Sequence, residues 1–207
     1  MGLNLYLTRH AETVWHAENR YAGRTDVALT DHGVQQAARL GGWAAGASLD
    51  AVWCSPLTRS HQTAVPAASG AGVPLHVDER LVELDFGVAE GLTTAELGQH
   101  DPAALAAFLS DPVGSYFPGG EDPVDAVARY AAVLDELAPE AGDADATVLV
   151  VGHNTMIRLT LCHLLGLDLA AYRSVFPRLD NCALTELRVD GGAVALLRLN
   201  CAAGEWT

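Results

Sequence analysis

Four consecutive apolar residues, Val148-Leu149-Val150-Val151, all but Leu149 β-branched, run directly into Gly152-His153-Asn154. A run this short, apolar on both sides of the pleat, suits a strand covered on both faces, the usual place of a central strand in a parallel sheet. Leu3–Leu7, Ala51–Cys54 and Leu75–Val77 read as further strands of the same kind. Helical segments lie between them. Thr30 is placed to cap a helix over Asp31–Ala47, with Val34, Ala37, Ala38 and Ala45 on one face. Ser55-Pro56 reads as a cap and first helical residue. Thr93–Ser110 is helical but broken at Pro102, and Val124, Val127, Ala131 and Leu134 keep helical spacing after Pro123. A further helix runs from His153 to Leu165, and Asp190-Gly191-Gly192 joins Leu184–Val189 to Val194–Leu199 as a terminal hairpin.

Strands alternating with helices imply an α/β fold with a mostly parallel sheet covered on both faces. No internal repeat, low-complexity tract or linker interrupts the 207 residues, so residues 1–207 read as a single domain with residues 92–122 inserted over the sheet.

Ligands of such sheets bind beyond the carboxyl ends of the strands. The first strand delivers Arg9 and His10 there, the second leads through Ser55-Pro56 to Arg59, and the central strand delivers His153. Helix N-termini follow the second and the central strand, and their N–H groups favour an anion. The surroundings sharpen this. The chain carries a formal net charge of -14 and no lysine; all twelve basic residues are Arg. Nucleic acid and membrane surfaces are excluded as partners by that charge, and lysine-dependent phosphate or Schiff-base chemistry by the composition. Two Arg and two His gathered in an acidic protein describe a pocket for a phosphate-like dianion. A neutral His can be the nucleophile, the Arg residues can neutralise charge on the phosphoryl oxygens, and Glu83 or Glu90 can protonate the leaving oxygen. His32, His61, His76, His100 and His163 have no motif around them and read as ordinary surface or core histidines.

Other classes leave no trace. Cys54, Cys162, Cys182 and Cys201 form no C-x-x-C pair and read as reduced thiols. No basic region precedes the short N-terminal apolar run and no apolar run reaches membrane-spanning length, so a cytoplasmic protein is expected. No H-E-x-x-H and no aspartate-rich metal motif occurs, so neither a metal nor a cofactor is expected.

The blocks together resemble the histidine phosphatase superfamily, also called phosphoglycerate mutase-like. They are Thr8-Arg9-His10-Ala11-Glu12-Thr13 with Trp15, Gly23-Arg24-Thr25-Asp26, Ser55-Pro56-Leu57-Thr58-Arg59, Leu81-Val82-Glu83-Leu84-Asp85-Phe86-Gly87 with Glu90, Gly119-Gly120-Glu121, Val151-Gly152-His153 with Ile157-Arg158, and Leu179-Asp180-Asn181-Cys182. The resemblance implies a three-layer α/β/α sandwich with residues 92–122 over the active site. It also implies a metal-independent hydrolase that acts on a small phosphomonoester, with His10 as the phosphorylated nucleophile. Arg9, Arg59 and His153 would hold the phosphoryl oxygens, Glu83 would be the proton donor, and Glu90 would have a structural part. His16, Tyr21, Ala22, Gly23, Asn154 and Thr155 would meet the substrate. The family's alternatives are a phosphoglycerate mutase-type isomerase and a non-catalytic phospholigand-binding module. The short sequence beyond the last hairpin, ending at Trp206-Thr207, favours water as acceptor over the mutase. A monomer or homodimer is expected.

Three positions depart from the family pattern. Ala11 replaces a glycine, and so does Asn154, which tolerates a left-handed backbone. His16 replaces an Asn and is expected to bring a group titrating near neutrality into the pocket.

Overall fold

The computed structural model describes residues 2–137 and 144–205, so Trp206 and Thr207 lie outside it. Its strands are β1 (Gly2–Arg9), β2 (Ala51–Cys54), β3 (Leu75–Val77), β4 (Ala146–Gly152), β5 (Leu184–Asp190) and β6 (Ala193–Cys201). They form one sheet in the order β3-β2-β4-β1-β5-β6. The first four are mutually parallel, and β5 and β6 extend the sheet antiparallel beside β1. The β5–β6 turn places Gly191 and Gly192 at φ of 56° and 84°, the two positive values a tight hairpin of this twist needs.

The helices are α1 (Asp31–Ala44), α2 (Thr58–Ala71), α3 (Thr94–His100), α4 (Pro102–Ser110), α5 (Pro123–Leu137), α6 (Asn154–Leu164) and α7 (Tyr172–Val175). Alternation along the strands decides where they pack. Leu3, Leu5, Leu7, Val148 and Val150 face α5 and α6, meeting Val127, Tyr130, Met156 and Ile157. Val52, Cys54, Leu149 and Val151 face α1 and α2, meeting Ala37, Leu40, Ala64 and Ala67. Each large aliphatic side chain buried this way contributes about 1.5–3 kcal/mol. The result is a three-layer α/β/α sandwich with a mostly parallel sheet.

Several helix details differ from the sequence reading. Thr30 caps α1 as expected, its hydroxyl accepting from Gly33 N–H at 2.9 Å. The buried stripe, however, is Gly33, Ala37, Leu40, Gly41 and Ala44, while Val34, Ala38 and Ala45 are exposed. The reason is that α1 and α2 touch backbone to backbone. A Cβ on Gly70 would stand 2.3 Å from Gly41 O, so the contact face is marked by glycines that an apolar pattern does not count. In α5 Val124 is likewise exposed, whereas Val127 and Leu134 are buried. The second strand is not followed at once by a helix either: α2 begins at Thr58, and Ser55 does not cap it. Pro102 divides α3 from α4, with the Asp101 carboxylate accepting from Ala104 N–H at 2.9 Å.

Register fixes the site. Arg9 lies opposite Gly152 and Cys54 opposite Val151. The residues that leave β1, β2 and β4 therefore emerge side by side at one edge. Among the described residues the four cysteines are free thiols, and no helix is long and apolar enough to cross a membrane.

Candidate active site

His10 follows β1 immediately, and its N–H donates to Gly152 O at 3.0 Å, which ties it to the end of β4. Its side-chain Nδ1 is 2.7 Å from Ala11 O. A carbonyl oxygen only accepts, so the proton must reside on Nδ1, and the lone pair of the neutral ring is left on Nε2. Burial first, then the charges of Arg59 and Arg9, holds this imidazole well below its usual pKa, so the ring is neutral at pH 7. Ala11 is fully buried and is not among the residues with positive φ, so a side chain is tolerated where the family has glycine.

Arg59 is fully buried at the start of α2. Its Nη1 donates to Thr25 O at 2.8 Å and its Nη2 to Gly23 O at 2.6 Å. Glu90 holds that loop in place. Its carboxylate accepts from Arg24 N–H at 2.8 Å, Thr25 N–H at 2.9 Å, and the Thr25 hydroxyl. Gly23 sits at φ 49°, and a Cβ there would stand 1.7 Å from Glu90 Oε1. Glu90 thus orients the carbonyls that orient Arg59 and does not line the cavity.

Glu83 is nearly fully buried under α6. Its Oε1 accepts from Leu84 N–H at 2.8 Å and Met156 N–H at 3.1 Å, and its Oε2 accepts from Thr155 N–H at 3.0 Å. Burial raises its pKa, and these N–H donors with Arg59 oppose the rise. This corrects the expectation that helix N-termini offer free N–H groups to an anion. Glu83 occupies those of α6 at Thr155 and Met156, and Asp26 accepts from Thr58 N–H at the start of α2. The positive groups facing the pocket are side chains.

His153 is fully buried, its ring centroid 5.3 Å from that of His10. It packs beside His10 and is not among the residues that line the cavity. Its Nε2 is 2.7 Å from Ser55 Oγ, while its Nδ1 has no hydrogen-bond partner among the described residues. The Nε atoms of Arg9, Arg59 and Arg158 and Oδ1 of Asn154 are buried and partnerless in the same sense. Buried polar atoms rarely stay unpaired, and four of these five are donors or can be.

His16 is held between donors. Thr13 N–H points at Nδ1 from 3.0 Å, while Arg9 Nη2 and Asn181 Nδ2 approach Nε2 at 2.8 and 3.1 Å. A neutral imidazole carries one N–H and one lone pair, so either tautomer sets an N–H against another N–H donor. Burial and Arg9 lower the His16 pKa to about 4. The expectation that His16 titrates near neutrality is therefore corrected: beside two buried guanidinium groups an imidazolium is disfavoured.

These groups surround a cavity of about 370 Å³. Arg9, His10, His16, Tyr21, Ala22, Gly23, Arg59, Glu83, Asn154 and Thr155 all line it, and His153 and Glu90 do not. Asn154 is the first residue of α6 and has no positive φ, so its glycine-like backbone tolerance is not used. Residues 92–122 supply Thr94 and Phe108 to the wall. Phe117 is buried and stacks on Phe108 with centroids 4.2 Å apart, and Tyr116 is exposed and away from the cavity, so neither meets a ligand directly. The wall also includes Arg20, Arg158, Tyr172 and Arg173, to which sequence reasoning assigned no part. Arg158 carried a signal, since it follows Asn154 by four residues on one helix and so shares its face. Tyr172 and Arg173 lie on α7, a four-residue helix with no motif to mark it. The five histidines without motifs lie elsewhere.

The profile of the histidine phosphatase superfamily (branch 1) matches residues 5–202. Phosphoserine phosphatase 1 of Hydrogenobacter thermophilus is 30% identical over 206 residues, 99% of this chain and 96% of its own length. Among solved structures, the α-ribazole phosphatase of Shigella flexneri superposes with a TM-score of 0.84 at 27% identity, covering 96% of each chain. A mycobacterial glucosyl-3-phosphoglycerate phosphatase, solved with VO3, gives 0.85 at 27% identity over 96% of this chain and 99% of its own. A match over nearly the whole chain, joined to a buried Arg-His pocket at the carboxyl edge of the sheet, places this chain in the histidine phosphatase superfamily.

Proposed function

We propose that the protein hydrolyses a small phosphomonoester without a metal, through a phosphohistidine on His10. The observation that carries this reading is the 2.7 Å contact between His10 Nδ1 and Ala11 O, which leaves the Nε2 lone pair free. The names of the relatives, phosphatases of phosphoserine, α-ribazole and glucosyl-3-phosphoglycerate, support a small phosphorylated metabolite as substrate.

In the first step His10 Nε2 attacks phosphorus, the ester P–O bond breaks, and protonated Glu83 gives its proton to the departing oxygen. The ring then carries positive charge with its Nδ1–H still donated to Ala11 O. Arg9, Arg59 and His16, which line the cavity, donate to the phosphoryl oxygens and neutralise the charge that spreads over them, and His153 beside His10 adds its Nδ1–H once a phosphoryl group is on His10. In the second step Glu83 takes a proton from water as its oxygen attacks phosphorus. The N–P bond breaks, the electron pair returns to Nε2, and inorganic phosphate leaves. Glu83 begins and ends protonated.

Phosphate release from an aryl phosphate in excess chelator tests the reading, with His10→Ala alongside. Release that survives chelator and disappears in the variant is expected. Release abolished by chelator, or undiminished in the variant, contradicts it.

A further inference from the structure

The cavity holds more positive charge than one phosphoryl group needs. Among the described residues five arginines line it, Arg9, Arg20, Arg59, Arg158 and Arg173, and one carboxylate, Glu83. Arg20 is neutralised by Glu18 and Glu96. Arg9 and Arg59 belong to the phosphoryl pocket described above. Arg158 and Arg173 pair with no carboxylate among the described residues. Glu83 forms an ion pair with neither of them; its oxygens accept from three backbone N–H groups, and its charge reaches Arg158 only from beyond contact.

Both guanidinium groups are nonetheless held in place. Arg158 is 9% exposed and donates through Nη2 to Pro177 O, while its Nε is buried and partnerless. Arg173 is exposed on α7 and lies over the ring of Phe108, its Cζ 5.4 Å from the centroid. Stacking on an aromatic face leaves the in-plane N–H groups of an Arg free to bind a planar or tetrahedral anion. Tyr172, whose pKa burial raises to about 12, adds a neutral hydroxyl to the same stretch of wall. Two guanidinium groups without a carboxylate partner, lining one cavity close enough for the charge of Arg173 to act on Arg158, are a local reversal of sign in a chain with net charge -14.

We infer that Arg158 and Arg173 form a second anion subsite, so that the preferred substrate is a phosphomonoester bearing a second anionic group, a carboxylate or another phosphate. This rests on the phosphatase reading of the cavity and adds to it the class of leaving group. A single charge-assisted contact is worth about 1.5–3 kcal/mol, or roughly 10- to 100-fold in kcat/KM.

The test compares kcat/KM within substrate pairs that differ in the second anion. 3-Phosphoglycerate against glycerol 3-phosphate exchanges a carboxylate for a hydroxymethyl group. Fructose 1,6-bisphosphate against fructose 6-phosphate exchanges a second phosphate for a hydroxyl. A preference of about tenfold or more for the anionic member of one pair supports the subsite and says which anion it takes. That preference shrinks in Arg173→Met, which keeps packing on Phe108 without the charge, and shrinks further in Arg173→Glu. Because Arg173 is exposed, its variants test the idea without the folding risk of changing buried Arg158. Equal rates within both pairs, or a preference untouched by both Arg173 variants, overturns the subsite and leaves the phosphatase reading intact, provided an aryl phosphate is still hydrolysed. No release from any compound overturns both.

Discussion

Ser55 Oγ lies 2.7 Å from Nε2 of His153, and both side chains are fully buried at the ends of neighbouring strands. If the hydroxyl donates to Nε2, the proton of the neutral ring is held on Nδ1, the partnerless nitrogen that can then donate to a phosphoryl oxygen. Ser55 would thus set the tautomer of His153, as Ala11 O sets that of His10. Ser55→Ala is expected to lower kcat/KM about tenfold and to weaken inhibition by inorganic phosphate in parallel, with a loss of stability of roughly 1–3 kcal/mol. Unchanged kinetics in a folded Ser55→Ala protein would show that the hydrogen bond is structural only.

Glu83 is expected to matter in proportion to the leaving group. Glu83→Gln can keep its one amide oxygen toward the N–H groups of Leu84 and Met156, but it turns an NH2 toward Thr155 N–H and cannot deliver a proton as the acid does. General-acid catalysis typically contributes ~10²–10⁴-fold, so an alkyl phosphate should lose about that factor in kcat. An aryl phosphate, whose leaving group needs little protonation, should lose much less in the phosphorylation step. Equal losses for the two, measured in single turnover, would remove Glu83 from the acid role.

The dependence on pH follows from the signs of the shifts. His10 must be neutral to attack, and its pKa is well below 6.5, so the acid limb of kcat/KM should appear only well below pH 6.5. Glu83 must be protonated to act as an acid, and its pKa is raised above 4.5, so activity should fall as pH rises through that raised value. A bell-shaped profile, bounded on the acid side by His10 and on the alkaline side by Glu83, is expected once the substrate's own ionisation, near ~6, is divided out. A profile flat from pH 5 to 9 would count against Glu83.

His16 makes a separate statement about stability. Its pKa is about 4 in the folded protein against 6.5 as a free side chain, so the unfolded chain binds more protons between those values. The contribution is present above pH 6.5 and lost as pH falls toward 4. His16→Asn should flatten the decline of Tm over that window and leave the activity profile near neutrality unchanged. A neutral-pH limb of activity that vanishes in the variant would restore His16 as a titrating group.

What the sequence made legible follows from where its signals lie. A β-branched run marks β4 because a doubly covered strand is apolar on both faces, and the Leu-rich β1 and the short Ala51–Cys54 run mark its two neighbours. Arg9 and His10 reach the cavity directly after β1, whereas Arg59 comes to it from the first turn of α2 and Glu83 from the loop after Leu81, which no strand run marks. The face of α1 was not legible, because its contact with α2 is made by glycine backbone, which contributes no apolar side chain to a pattern. Ser55-Pro56 carries the signature of a helix start, yet the hydroxyl is drawn to His153, a contact across 98 residues that local spacing cannot show. Arg173 was missed for a similar reason: it reaches the cavity only because α7 and α4 meet there, with Phe108 beneath its guanidinium.

The central claim is the covalent phosphoryl group on His10, and trapping it is the most direct test. The native protein and Glu83→Gln are mixed with an aryl phosphate, quenched in base, where phosphohistidine survives, and digested for mass spectrometry. One added phosphoryl group on the peptide containing His10, transient in the native protein and accumulating in Glu83→Gln, is the predicted result. Turnover with no phosphoryl group on His10 at any time, or a phosphoryl group on His153 or His16 instead, would contradict it.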